Sequence, residues 1–204
     1  MIVGEIKRGS KVEVLKLAKD PNYNDYIYKV VRLKNAREIS YLDHPLLAAI
    51  QPRQGTLTGW PSAEKYLQAI LGKHKIPWSV TSLHPSQLEV ICYEFLRLQG
   101  VLRALLLPIG RGLMDIDIYG IDASGKRILA QVTHSTDEKV IQDKLDRLKE
   151  YKSRGAKLLF FGPESSQFDD PAVRYISVEE VFDSLCADRT DPIYHRMISR
   201  MLKR

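Results

Sequence analysis

The chain has 204 residues, a formal net charge of +6 and 44% hydrophobic residues, enough to bury a core in one domain or in two small ones. It has no run of about 18 apolar residues and no basic-then-apolar leader, so neither a membrane contact nor secretion is expected. Its two cysteines lack metal-type Cys/His spacing, which disfavours a zinc site and a disulfide framework. We therefore expect a protein of the reducing cytoplasm.

The positive charge is concentrated at one end of the chain. Residues 1–80 contain 13 Lys and Arg against 7 Asp and Glu, whereas residues 81–204 contain 18 of each. This asymmetry, with a change of pattern near residue 80, predicts a basic N-terminal domain and a second domain over residues 81–204. A basic module can supply the phosphate contacts that dominate sequence-independent affinity for nucleic acid. A merely well-solvated surface is the alternative.

The N-terminal domain is predicted to be rich in β-structure. Short β-type runs separated by polar turns suggest a small antiparallel sheet or partial barrel. These runs are residues 2–6, 11–17, 26–33 and 37–42. One helix is predicted over residues 62–71, with Ser62 as its N-cap.

Aromatic and basic residues alternate within this N-terminal region. Tyr26 and Tyr28 are interleaved with Lys29, Arg32 and Lys34. Tyrosines beside cations can stack on bases and contact phosphates, which makes these five residues the predicted nucleic-acid-binding set. Packing between neighbouring strands is the alternative role for the tyrosines.

The second domain has the order helix, three strands, helix, strand. Helix periodicity and end signals predict the helices, and β-type runs predict the strands. The helices are residues 85–99 and 137–151, and the strands are residues 101–109, 113–120, 128–134 and 157–161. A further strand over 174–178 and helices over 179–185 and 192–202 follow. Meander strands with a crossover helix imply an α/β (α+β) fold with a mixed sheet and helices on its faces.

Oxygen-bearing side chains are predicted to share a face on two of these strands. Alternation turns Asp115 and Asp117 to one side of strand 113–120, and it turns Gln131 and Thr133 to one side of strand 128–134. Carboxylate and amide oxygens suit a hard divalent cation. A solvated face of a half-exposed sheet is the alternative explanation.

These motifs and this element order resemble the restriction-endonuclease-like (PD-(D/E)XK) nuclease superfamily, closest to its Mrr-like branch. The resemblance covers about residues 82–180 and implies that family's αβββαβ core. Glu89 in QLEVICYEF matches the acid of the first core helix, Asp117 in GLMDID matches the strand acid, and Gln131 in LAQVT matches the glutamine of Q-x-K. Thr133 stands at the lysine position, and there the match fails.

The resemblance implies a metal-dependent endonuclease of restriction, defence or DNA-processing type that hydrolyses phosphodiester bonds of DNA. Its cofactor would be Mg²⁺ or Mn²⁺, which can neutralise the phosphate and activate a water. The implied metal ligands are Asp117, Gln131 and Glu89, with the Val132 carbonyl beside them and Asp115 as a spare carboxylate. DNA is the implied partner, and a homodimer is an open alternative because nucleases that cut both strands often act as pairs.

The missing lysine leaves the activity open. In this family the lysine orients the water and stabilises developing charge, whereas Thr133 has only a hydroxyl. Lys139 and Lys144 on the following helix, or Lys126 in the preceding turn, are candidates for a displaced lysine; the expected catalytic set is Glu89, Asp117, Gln131, Thr133 and Lys139. We favour an active enzyme over a nuclease fold that binds DNA without cutting. An interaction protein with no nucleic-acid role is the third hypothesis.

Overall fold

The computed structural model describes residues 1–16, 27–51, 59–110, 113, 115–152, 155–187 and 192–202. The chain divides into two compact units, Met1–Ile76 and Pro77–Arg204. The charge pattern of the sequence predicts this division a few residues later, after residue 80. Within the described ranges, every helix is too short or too polar to cross a bilayer.

Within its described residues, the N-terminal unit contains four strands and two helices. They are β1 (Ile2–Ile6), β2 (Glu13–Lys16), β3 (Ile27–Val30), β4 (Leu33–Glu38), α1 (Pro45–Ala49) and α2 (Glu64–Ile70). β1 pairs with β4 and β2 pairs with β3, both antiparallel, as two separate two-stranded sheets. The predicted single sheet or partial barrel is therefore wrong for the described residues. Alternation identifies strands, but it does not identify which strands pair.

The small core of this unit lies around its helices. Leu47, Ala63 and Tyr66 are buried together, and the indole N–H of Trp60 donates to the Ile50 carbonyl at 2.8 Å. A 3-10 turn, Pro61–Ala63, precedes α2, and its N-cap position makes no side-chain hydrogen bond. The predicted cap at Ser62 is therefore wrong, because this residue lies within the turn.

In the described part of the C-terminal unit, the strands form one five-stranded mixed sheet. Its elements are α3 (Pro85–Leu98), β5 (Ala104–Leu105), β6 (Ile118–Ile121), β7 (Arg127–Val132), α4 (Glu138–Lys149), β8 (Lys157–Gly162), β9 (Val173–Ser177), α5 (Val178–Ala187) and α6 (Ile193–Leu202). The strand order is β5-β6-β7-β8-β9. β5, β6 and β7 pair antiparallel, whereas β7, β8 and β9 pair parallel. The unit thus has the mixed α/β architecture that the element order predicts.

Side-chain caps fix where the two site-bearing helices begin. His84 Nδ1 accepts from the Ser86 backbone N–H, and Gln87 Oε1 accepts from the His84 backbone N–H, which forms a reciprocal capping arrangement at α3. Asp137 Oδ1 accepts from the backbone N–H groups of Lys139 and Val140 at the start of α4. Such caps stabilise a helix by about 1 kcal/mol each and set its first turn.

Helix α4 covers one face of the sheet with a buried apolar cluster. The members are Ile116, Leu129, Ile141, Leu145, Leu148, Leu158, Phe160 and Val173. Alternation turns the buried Ile128 and Ala130 to the other face. Helices α3 and α5 contact each other and cover that other face, where α3 contacts β7 and α5 contacts β9. Buried residues on both faces explain why β7 and β8 are almost continuously apolar.

The strands before β7 are shorter than predicted. The predicted strand over 101–109 narrows to Ala104–Leu105, and Pro108, which has no N–H for a ladder, lies beyond it. The predicted strand over 113–120 begins only at Ile118. Ile116 and Tyr119 both contact the α4-side cluster, although strict alternation would place them on opposite faces. The chain therefore bends at Asp117, directly before the strand.

Candidate active site

The structure brings Asp117 and Gln131 into direct contact. The Asp117 backbone N–H donates to the Ala130 carbonyl at 3.0 Å, which fixes the bend against β7. Asp117 Oδ2 then accepts from Gln131 Nε2 at 2.7 Å and from the Val132 backbone N–H at 2.8 Å. The carboxylate is thus held at the C-terminal end of β7 by an amide and a main-chain donor.

Glu89 reaches the same place from α3. Its carboxyl lies against Gly110, where an added Cβ would collide with Glu89 Oε2. The Gly110 backbone N–H donates to the Asp117 carbonyl at 2.8 Å, so one glycine links both acids. Burial, and then the charge of Asp117, raise the pKa of Glu89 to about 7 despite the opposing charge of Lys144.

Gly110 is a site residue that the sequence patterns do not predict. It has a φ of +70°, a conformation that glycine adopts without strain. The signal available in the sequence is the pair of glycines at 110 and 112 immediately before the Asp117 segment. What the sequence does not reveal is that the helix acid packs on the glycine Cα.

Among the residues that the structure describes, Lys144 is the basic residue of this cluster. It is half-buried on α4, and its Nζ donates to the Val132 carbonyl at 3.1 Å. Burial raises the pKa of Asp117, whereas the Val132 N–H and the charge of Lys144 oppose that rise. The cluster therefore combines two carboxyl groups with one ammonium group at the end of β7.

The Gln131 amide oxygen has an unusual environment. Gln131 is 5% exposed, and its Oε1 is buried without a hydrogen-bond partner because Nε2 is the atom that faces Asp117. An unsatisfied buried acceptor costs about 1–3 kcal/mol. With the Gln131 amide turned over, the Asp117 carboxylate, Gln131 Oε1, the Val132 carbonyl and Glu89 would offer oxygen donors, the type that a hard divalent cation binds.

Asp115 does not share this cluster. Its Oδ1 accepts from Arg147 Nη1 at 2.8 Å in an ion pair on the α4 side. Within the described part of the chain, no three Asp, Glu, His or Cys side chains gather as a metal-binding group. The bend at Asp117 breaks the alternation that predicted a shared face, so Asp115 is removed from the ligand set. A cation here would depend on amide and carbonyl oxygens as well as on Asp117 and Glu89.

The other predicted catalytic positions are also placed. Thr133 is buried, and its Oγ1 accepts from the Ser135 backbone N–H at 3.1 Å. Lys139 is exposed at the first turn of α4. Lys126 lies in the turn between β6 and β7, where its backbone N–H bonds to Asp122 Oδ1, at the opposite end of β7 from Gln131. Of the three candidate lysines, Lys144 is the one that contacts the site.

The predicted nucleic-acid set is spread over two small sheets. Tyr26 lies outside the described residues. Tyr28 and Lys29 are adjacent on β3, so alternation points them to opposite faces, and Tyr28 is exposed opposite Leu15 on β2. Lys34 belongs to the other sheet, opposite Glu5 on β1.

The fifth member of that set makes an exposed ion pair. Arg32 Nε and Nη2 donate to the two carboxylate oxygens of Glu13 at 2.9 and 3.1 Å. The set therefore does not form one continuous strand face. The unit nevertheless keeps the whole charge excess, because residues 77–80 carry no charged side chain.

A separate cleft of about 780 Å³ lies at the far end of the sheet, beside the turn between β6 and β7. Asp122 accepts there from Lys157 Nζ at 2.6 Å and from Ser124 Oγ at 2.6 Å. The Lys157 ammonium and these donors hold the pKa of Asp122 well below its usual range. This carboxylate closes the turn and has its oxygens engaged, which indicates a structural role.

No family model, no curated protein and no solved structure matches the chain. Asp117, Gln131, Glu89 and Lys144 converge from a bend, a strand and two helices. The cluster joins two carboxyl groups, an amide and an ammonium group, and the pKa of Glu89, about 7, allows its charge to change near neutral pH.

Proposed function

We propose that the chain is a metal-dependent endonuclease that hydrolyses phosphodiester bonds of DNA, in restriction, defence or DNA processing. The contact between Asp117 and Gln131 at the end of β7 carries this proposal. Glu89 beside them, and the order α3-β5-β6-β7-α4-β8, support it as well. The αβββαβ order is the one that the resemblance to the restriction-endonuclease-like superfamily implies.

The donor atoms suit Mg²⁺ or Mn²⁺. Asp117, Gln131 Oε1 and the Val132 carbonyl would hold the ion, with Glu89 directly or through water. A bound divalent ion supplies charge neutralisation at a phosphate and a more acidic water. Gln131 would turn its amide so that Oε1, the buried atom without a partner, faces the ion. Glu89, whose pKa is about 7, would give up its proton on binding.

The reaction needs one water and no redox partner. The water oxygen bonds to phosphorus, the ester P–O bond breaks, and one water proton ends on the leaving oxygen. The products are a phosphate monoester end and a free hydroxyl end. Negative charge grows on the phosphate oxygens before the ester bond breaks, so positive groups at the site favour this step.

The basic N-terminal unit would hold the DNA. All of the excess charge of +6 lies in residues 1–76, whereas the C-terminal unit is neutral overall. Sequence-independent binding depends on such charge and weakens as salt rises. The Lys29 and Lys34 side chains on β3 and β4 are exposed in this unit.

The decisive experiment is plasmid cleavage in Mg²⁺ or Mn²⁺ with Asp117→Ala against Asp115→Ala. Both changes remove an aspartate from one short segment, but Asp115 bonds to Arg147 and an exposed ion pair adds little stability. We expect Asp117→Ala to lower the cleavage rate at least about 100-fold, because even outer-shell groups are worth 10- to 100-fold. Asp115→Ala should stay near wild type. Equal cutting by Asp117→Ala and wild type would remove the assignment.

A second candidate is a nuclease fold that binds DNA without cutting. Thr133 lacks the positive charge of the motif lysine. The Asp117 carboxylate is already hydrogen-bonded by the Gln131 amide and the Val132 N–H, so it needs no cation. This candidate predicts salt-sensitive retention of DNA in a gel shift, with intact strands in every metal tested.

A further inference from the structure

The motif position for the lysine is closed in this chain. Thr133 is 7% exposed, its backbone N–H donates to the Phe161 carbonyl at 2.9 Å, and its Oγ1 accepts from Ser135. The threonine side chain is uncharged, so it cannot stabilise a phosphate as a lysine would. If the site cuts DNA, positive charge from the protein must come from another element.

Helix α4 provides such a charge in a fixed place. Lys144 lies between Ile141 and Leu145, which are buried against the sheet, so its stem leaves the helix at the edge of the apolar stripe. Its ammonium then reaches the Val132 carbonyl, one residue from Gln131 and one from Thr133. The same charge acts on both Glu89 and Asp117.

We propose that Lys144 takes the role of the missing strand lysine and stabilises the phosphate during hydrolysis from helix α4. This inference rests on the proposed function. An ammonium has three N–H donors, and the bond to the Val132 carbonyl uses one of them. The group can therefore stay anchored to β7 while it donates to a phosphate oxygen or to the attacking water.

Replacing Lys144 should strongly lower the cleavage rate and should not weaken ion binding. Removing one preorganised donor from a site where charge develops typically costs 10²- to 10³-fold in rate. The ion itself would be held chiefly by Asp117 and Gln131, while the Val132 carbonyl also bonds to the Lys144 ammonium. Removing that positive charge should not weaken ion binding, so loss of rate without loss of ion affinity separates this role from a structural one.

The test compares Lys144→Met with Lys149→Met. Both lysines lie on α4 and both variants keep an apolar stem, but the Lys149 ammonium bonds to Asp170 at 2.6 Å and not to the end of β7. Plasmid cleavage in Mn²⁺ gives the rate, and calorimetric titration of Mn²⁺ into DNA-free protein gives the ion affinity. We expect Lys144→Met to lower the rate at least about 100-fold, with Mn²⁺ affinity no weaker than that of wild type. Lys149→Met should match wild type in both.

Other results overturn the inference in distinguishable ways. If wild type and Lys144→Met cut equally, Lys144 is not the missing lysine, although the proposed function stands. If Mn²⁺ affinity rises about tenfold or more in Lys144→Met without a loss of rate, the ammonium merely occupies the place of the ion. If rate and affinity fall together, Lys144 only supports the fold of β7. If wild type cuts in no metal, the proposed function and this inference fail together.

Discussion

Glu89→Gln should make the protein more stable at neutral and alkaline pH. In the folded protein Glu89 has a pKa of about 7 against an ordinary value of 4.5, chiefly because it is buried and secondly because Asp117 is near. The folded state thus holds this proton more tightly than the unfolded chain does. Its stabilising contribution is complete below about pH 4.5 and is lost as pH rises through about 7. Glutamine keeps the shape and removes the titration.

The size of the effect follows from the two pKa values. A rise from 4.5 to about 7 corresponds to about 3 kcal/mol at 1.36 kcal/mol per pH unit. Glu89 is only half-buried, so solvent screens part of this, and we expect about 1–2 kcal/mol. Glu89→Gln should match wild type near pH 4.5 and exceed it by that amount at pH 8.

Urea unfolding between pH 4.5 and 8.5, in EDTA, measures the effect. Glu138→Gln is the control, because Glu138 is exposed in the first turn of α4. The free energy of unfolding of wild type and of the control should fall with pH more steeply than that of Glu89→Gln. Parallel curves for all three proteins would refute the argument that this carboxyl is buried beside Asp117.

Two further predictions test other parts of the structure. Gly110→Ala should destabilise the protein by about 2 kcal/mol or more in urea, since strain at positive φ costs roughly 1–2 kcal/mol and the new methyl group would displace Glu89. Gly125 has a φ of +80° and open space around it, so Gly125→Ala should be destabilised by backbone strain alone. Equal destabilisation by Gly110→Ala and Gly125→Ala would contradict the packing of Glu89 on Gly110. Replacing Lys29 and Lys34 with alanine should lower the slope of log affinity for DNA against log salt by about 1 for each phosphate that the protein no longer neutralises. Fluorescence anisotropy over a salt series measures this slope, and an unchanged value would exclude both residues from the interface.

Sequence patterns predict the helices of the C-terminal unit well. Helix α3 has a proline in its first turn and Gly100 after its end, and α4 has Asp137 as its cap. Those signals are local, because each one satisfies or ends the hydrogen bonding of a single helix turn. The strand β8 is equally clear as a short buried apolar run.

The details of the site depend on tertiary contacts that no local pattern contains. Alternation places Asp115 with Asp117, but the chain bends at Asp117 and Asp115 pairs with Arg147. Helix periodicity allows both Lys139 and Lys144 as replacements for the missing lysine. Only the packing of α4 on the sheet determines which of them reaches β7. In the N-terminal unit, likewise, strand-forming runs are visible in the sequence but their partners are not.

Three basic side chains of helix α4 bind three separate parts of the C-terminal unit. Lys144 binds the end of β7, Arg147 binds Asp115 ahead of β6, and Lys149 binds Asp170 ahead of β9. A helix rotates by about 100° per residue, so adding or deleting one residue inside α4 would turn the later anchors away from their partners. Insertions and deletions should therefore be tolerated in the connections around α4 and be rare within it.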